Sequence, residues 1–238
     1  MFELNPELEI TAITDIGPEN RSAMVIDNFY KNPYEVRQLA DKLDRSDTIN
    51  FTNHWPGKRS VYETRELRKN LEKIFRELLT DEEHWGRKTD QSFIAKHFDL
   101  MWFLVDYMSE KIIDEDPLRL LPFQTWYMHN PSPFQFSIDI FLNRPKECFG
   151  GINVWNFAGK TSILEDIKNM YVDKGKFDIR KDVYDSTFTW SREFTFGMKY
   201  NRAVIVPSDL LVAPIMQDAS NFTAVSYTHL TLPTICSV

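Results

Sequence analysis

Cysteine is nearly missing from this chain: two residues among 238, Cys148 and Cys236. Two thiols do not build the disulfide framework that stabilises small secreted domains, so the fold has to rest on packing. An excess of positive charge is missing as well. Lys and Arg number 28 against 35 Asp and Glu, a net charge of -7, whereas a surface that displaces counterions from phosphates needs clustered cations. Nucleic acid is therefore not an expected partner. No uncharged run approaches membrane-spanning length, since the most apolar stretch, Met101 to Val105, is closed by Asp106. The opening MFELNPELEI has neither the basic nor the apolar segment of a secretory leader. These absences predict a soluble, cytoplasmic protein with no membrane partner. Internal repeats and low-complexity linkers are lacking too, which leaves a single domain as the economical reading.

What the chain does have is apolar residues in periodic order. They make up 42% of it, enough for a sizeable core. The organising stretch is Pro122 to Phe157. Phe134, Phe136, Ile138, Ile140 and Leu142 alternate with Gln135, Ser137, Asp139 and Asn143, the period of a strand with one apolar and one polar face. Phe123 to His129 reads as a strand before it. Gly150-Gly151 supplies the unusual backbone angles of a tight connection into a third strand, Ile152 to Phe157. Together the three predict the core of an antiparallel sheet.

Upstream, residues 1–20 read as an arm or an edge strand that ends in a Gly17-Pro18 turn. Ser22 to Phe29 is a β-branched run that leads into a helix from Pro33 through Leu43, with Asn32 placed to cap it. His54 to Arg59 reads as a turn with two cations. Thr64 to Leu79 and Asp90 to Ile113 repeat apolar residues at three- and four-residue spacing, so both predict helices. Downstream, Thr161 to Tyr171 predicts a short helix and Asp173 to Asp185 an exposed loop. Thr187 to Phe196 predicts a strand with Phe188, Trp190, Phe194 and Phe196 on one face. Ala203 to Val206, Leu210 to Val212 and the residues from Phe222 onward predict three more, with a turn at Pro207-Ser208-Asp209. Helices early and antiparallel strands late define an α+β domain whose sheet folds over as a sandwich or jelly roll. The domain is expected to span residues 1–224. The last fourteen residues, VSYTHLTLPTICSV, look like a sequencing adaptor read through in frame, so Val225 to Val238, with His229 and Cys236, are set aside as foreign.

Chemistry-bearing residues are few. His129 at a strand end and Asp139 on the polar face of the neighbouring strand are the candidate metal ligands, since cross-strand pairing would bring them close. Arg202 beside Asn201 is a candidate for gripping a carboxylate bidentately. Lys58 and Arg59 near Trp55 could hold an anion. His97-Phe98-Asp99 sits on a predicted helix, where residues two apart point away from each other. Gly150-Gly151 reads as a hairpin turn rather than a phosphate cradle, because no helix opens after it. Cys148 has no identifiable base partner.

VIDNFYKNPYEVRQLA with WPGKRS, then Phe123-Gln124, IDIFLNRPKECFGGINVWNF and MKYNRAVIVPSDLLVAP, taken in that order, resemble the Fe(II)/2-oxoglutarate oxygenase superfamily, in particular its phage and bacterial members. The resemblance implies a double-stranded β-helix, the cupin-like jelly roll, with N-terminal helices packed on the sheet. It implies Fe(II) and 2-oxoglutarate as cofactors and a hydroxylase acting on a small molecule or a protein. Such an enzyme needs two His and one carboxylate on one side of the metal. At the family's His-x-Asp position this chain has His129-Asn130-Pro131, and at its distal histidine Leu211, Val212 or Ala213. The alternative is a catalytically inactive jelly-roll binding or structural module. An exposed aromatic patch would favour it.

Overall fold

Alternating apolar side chains favour extended backbone, and most of the described elements in the second half of the chain are strands. The computed structural model describes residues 1–18, 20–43, 57–62, 69, 102–108, 123–124, 136–158, 190–207, 210–215 and 226–231. In chain order they form β1 (Glu9–Ile16), β2 (Arg21–Asp27), helix α1 (Pro33–Lys42), β3 (Gly57–Tyr62), β4 (Trp102–Met108), β5 (Phe123–Gln124) and β6 (Phe136–Phe141). A 3-10 turn at Pro145–Glu147 precedes β7 (Gly151–Phe157), β8 (Trp190–Gly197), β9 (Arg202–Pro207), β10 (Leu211–Pro214) and β11 (Ser226–Thr231). Among the described residues, no helix is long and apolar enough to cross a membrane.

The strands make two sheets, one in the order β1-β2-β9-β6-β11-β4-β3 and one in the order β5-β10-β7-β8. Every pairing is antiparallel. The sheets meet face to face. Phe141 of β6 and Val204 and Val206 of β9 pack in one buried cluster with Ile152 and Val154 of β7, Phe196 of β8 and Val212 of β10. The opposite face of the larger sheet is buried as well where β2, β9 and β6 lie side by side. Its register rows, Met24–Ile205–Ile138 and Ile26–Ala203–Ile140, contain no residue more than 2% exposed. Helix α1 buries Val36 and Ala40, and Arg37 ties it to the end of β6 by donating from Nη1 to the Leu142 carbonyl at 3.0 Å.

Several sequence expectations meet corrections here. Residues 102–108, expected in a helix, form β4, because an aromatic-rich run with apolar residues at three- and four-residue spacing also suits a strand paired on both sides, here by β3 and β11. Lys58 and Arg59 lie in β3, not in a turn. Gly150-Gly151 is not a hairpin turn: it carries the chain from β6 in one sheet to β7 in the other. Gly151, at φ 139°, is where β8 comes closest, for a Cβ there would lie 2.0 Å from the Phe196 carbonyl oxygen. On β8 an extra residue at Glu193, between the pairs Val154–Phe194 and Trp155–Arg192, reverses the alternation. Trp190 is thereby turned to the face opposite Phe194 and Phe196.

Other expectations hold. β1 is an edge strand that ends in a turn at Gly17, and α1 begins at Pro33, although Asn32 makes no side-chain cap. The expected helices 64–79 and 161–171 and the loop 173–185 lie outside the described residues, apart from Lys69, which is helical.

Candidate functional site

The two ends of the sandwich differ in what the topology brings to them. At one end, Phe136 opposite Pro207 begins β6, Gln124 opposite Leu211 ends β5, and Phe157 opposite Trp190 joins β7 to β8. The Phe157 and Trp190 rings pack there at 4.6 Å between centroids. At the other end, Phe141 lies opposite Arg202, and Met198 donates its N–H to the Gly150 carbonyl. From Arg202 to Pro207 is five residue steps along β9, about 17 Å at strand rise.

Asp139 lies between these ends and faces inward. It stands opposite Val204 and shares a strand face with Phe141, both members of the cluster between the sheets, and it is 3% exposed. The expectation of a solvated or polar face for Asp139 and Asn143 is thus corrected: both are buried in an otherwise apolar layer. His129 lies outside the described residues. Among the described residues, β6 pairs with β9 and β11, and Phe123–Gln124 of β5 pair with β10 in the other sheet. On β10 the residue that joins the inner cluster is Val212, which has no metal-ligating atom. Among the described residues, no three His, Cys, Asp or Glu side chains group closely enough to hold a metal ion.

Asn201 and Arg202 stand at the far end, occupied by the protein itself. Asn201, at φ +61°, uses its buried carboxamide as a backbone mimic: Oδ1 accepts from the Tyr30 N–H at 2.9 Å and Nδ2 donates to the Tyr30 carbonyl at 2.8 Å. Its own N–H donates to Phe141 O and its carbonyl accepts from Phe29 N–H. Arg202 donates from Nε to Asp27 Oδ1 at 2.7 Å, from Nη2 to Asp27 Oδ2 at 2.9 Å and from Nη1 to Gly197 O at 2.9 Å. The carboxylate that Arg202 grips here is Asp27. That hydrogen bond, with help from Lys199, holds the Asp27 carboxyl below its usual range against the opposing cost of burial.

Sequence reading missed three residues that the structure singles out. Asp27 is 175 positions from Arg202. Arg37, buried, reaches Asp41, Leu142 O and Glu147. Asn143 is fully buried with neither amide atom hydrogen-bonded. None carries a sequence signal beyond a polar residue next to an apolar run. Cys148 is half-buried and donates to the Asn143 and Arg144 carbonyls, and burial pushes its thiol up, so it is poorly suited to be a nucleophile. His97 and Asp99 lie outside the described residues.

No family model and no curated protein matches the chain. Among solved structures it is similar to the crystal structure of a novel N-substituted L-amino acid dioxygenase from Burkholderia ambifaria AMMD, at 10% identity over 94% of each chain with a TM-score of 0.41. It is also similar to HygX from Streptomyces hygroscopicus with nickel, 2-oxoglutarate and hygromycin B bound, at 10% identity over 95% of this chain and 83% of that one, TM-score 0.37. At this distance residue roles do not transfer from those proteins to this chain.

Proposed function

We propose that the chain is a jelly-roll protein of the Fe(II)/2-oxoglutarate oxygenase type, with His129 and Asp139 as its metal-ligand candidates. The observation that carries the fold is the nesting of strand pairs: β7 pairs with β8, β6 with β9, β5 with β10 and β4 with β11. Successive strands from β4 fall in the large, small, large, small, small, large, small and large sheet. This is a long hairpin rolled up on itself, the double Greek key of a jelly roll. β1, β2 and the β3 ribbon extend it at both edges.

The reading of the site is supported by a buried, inward carboxylate, Asp139, on β6 opposite Val204 of the inner cluster. A bound Fe(II) would supply oxygen activation, and Asp139 would contribute one oxygen ligand from the β6 side. The described residues do not complete the facial triad, since β10 offers Val212 where a second histidine is needed, and no step is assigned to the metal. Gripping of 2-oxoglutarate by Arg202 and Asn201 would require the keto acid to displace Asp27 at the far end.

Val212 is also the observation that favours the second reading, an inactive jelly-roll binding or structural module. Trp155 and Trp190 are buried, so neither provides an exposed aromatic platform. Anaerobic Fe(II) titration and succinate release from 2-oxoglutarate separate the two. Tight binding lost in Asp139→Asn supports the oxygenase reading, and a chain that neither binds iron nor forms succinate is the module.

A further inference from the structure

Three segments far apart in the sequence meet at the end of the sandwich where β6 gives way to the 3-10 turn. That turn is tightly fixed: Glu147 N–H donates to the Arg144 carbonyl at 2.7 Å, Arg144 N–H to Glu147 Oε2 at 3.0 Å and Phe149 N–H to the Glu147 carbonyl at 3.0 Å. Arg37 of α1 reaches the same turn, 3.5 Å from Glu147 Oε2, and Tyr34, three residues before it, is its neighbour on the helix surface. From the connection between β8 and β9, the Tyr200 main chain hydrogen-bonds to the Cys148 sulfur, and the Tyr200 phenol lies within electrostatic reach of Arg37, Arg144 and Tyr34. What gathers there faces water and is largely unspent. Tyr34 is 59% exposed and Phe149 49%. The Arg144 side chain is 68% exposed, and its ion pair with Glu147 is stretched to 4.0 Å. Lys146, exposed on the same turn, makes no ion pair among the described residues. By contrast Lys31 is held by Glu3, and Lys199 and Arg202 are held by Asp27.

We propose that this aromatic and cationic patch is a docking surface for an acidic segment of a partner protein, with Arg144 and Lys146 meeting its carboxylates and Tyr34, Phe149 and Tyr200 covering an apolar side chain beside them. Charge complementarity selects the occupant: the two free cations stand among the rings, on a chain whose net charge is -7, so attraction to an acidic segment is confined to contact range at this patch. Tyr, Phe and Arg are the residues that protein interfaces concentrate at their centres. The hydrogen-bonded turn holds Arg144, Lys146 and Phe149 in place before anything binds, which lowers the ordering cost of association. A sugar-binding surface would need free carboxylates or amides for hydroxyl groups, and the carboxylates here, Asp41 and Glu147, are engaged by Arg37. The patch lies on the outside of the molecule, so the inference is independent of whether iron binds between the sheets.

The test is fluorescence anisotropy of the full chain with two labelled decapeptides, one of alternating Glu and Tyr and one of alternating Gln and Tyr. The Glu peptide is expected to bind saturably, more weakly as salt rises, and the Gln peptide at least about tenfold more weakly. Arg144→Gln with Lys146→Gln, and separately Tyr34→Ser with Phe149→Ser, should each weaken the Glu peptide by about tenfold. Lys42→Gln, an exposed cation at the other end of α1, should leave it unchanged. All five side chains are exposed, so the variants should share the urea midpoint of the parent chain; should the aromatic pair lower it, the charge pair and the Gln peptide decide. Equal binding of the Glu and Gln peptides overturns the proposal, as does a charge-pair variant of parental affinity or a chain that shows no saturable binding up to about 1 mM. Binding of alginate with no binding of the Glu peptide overturns it too, in favour of a sugar-binding surface.

Discussion

Replacing Asn201 by alanine is the most revealing single perturbation of this fold. The side chain occupies both main-chain hydrogen-bonding groups of Tyr30, a residue that is itself completely buried. Leaving a buried donor or acceptor unmade costs about 1–3 kcal/mol each, so the two together cost about 2–6 kcal/mol. Alanine at φ +61° adds about 1 kcal/mol, because Cβ crowds the backbone in the left-handed region where asparagine is tolerated. The expected loss is about 3–7 kcal/mol, a large part of the stability of an ordinary domain. Urea unfolding at constant m-value measures it. Asn201→Gly removes the same hydrogen bonds without the backbone strain, so it should be about 1 kcal/mol milder than alanine. An alanine variant within about 1 kcal/mol of wild type would refute the reasoning, as would a glycine variant less stable than alanine.

Further outcomes follow from other contacts. Asp27, whose carboxyl Arg202 holds low, contributes stability that is present above the ordinary aspartate range and lost as pH falls through its lowered pKa. The stability gap between wild type and Asp27→Asn should therefore be widest above about pH 5 and close towards about pH 2, and a pH-independent gap would remove the ion pair as its cause. Arg37→Met keeps the apolar stem but abandons the Leu142 carbonyl and Asp41; chemical denaturation should register a loss of about 2 kcal/mol. Gly151→Ala drives a methyl into the Phe196 carbonyl at a backbone angle that disfavours any side chain. It should cost more than about 3 kcal/mol, visible as loss of the cooperative thermal transition, whereas Gly197→Ala, with open space around its Cβ position, should be nearly silent.

Much of the strand content was legible because period two is written in the residues themselves: β2, β6, β7, β8 and β9 fall where apolar residues alternate or cluster as β-branched runs. The misreadings have a common origin. The Trp102–Met108 run satisfies helical spacing and strand preference alike, and only its partners β3 and β11 settle the matter. The single extra residue at Glu193 reverses a face without altering the composition. The alternation placed Asp139 on a polar face, and only the packing of the second sheet over it makes that face buried.

Sequence alone determined that β2 and β6 to β9 extend, where α1 begins and that no framework of disulfides holds the chain, because these depend on local sterics and on composition. Tertiary structure decided which strands pair, which end of the sandwich each polar residue occupies and that Arg202 answers to Asp27. Those are contacts between residues far apart in the chain, and an alternating pattern specifies the two faces of a strand without specifying what lies against either of them.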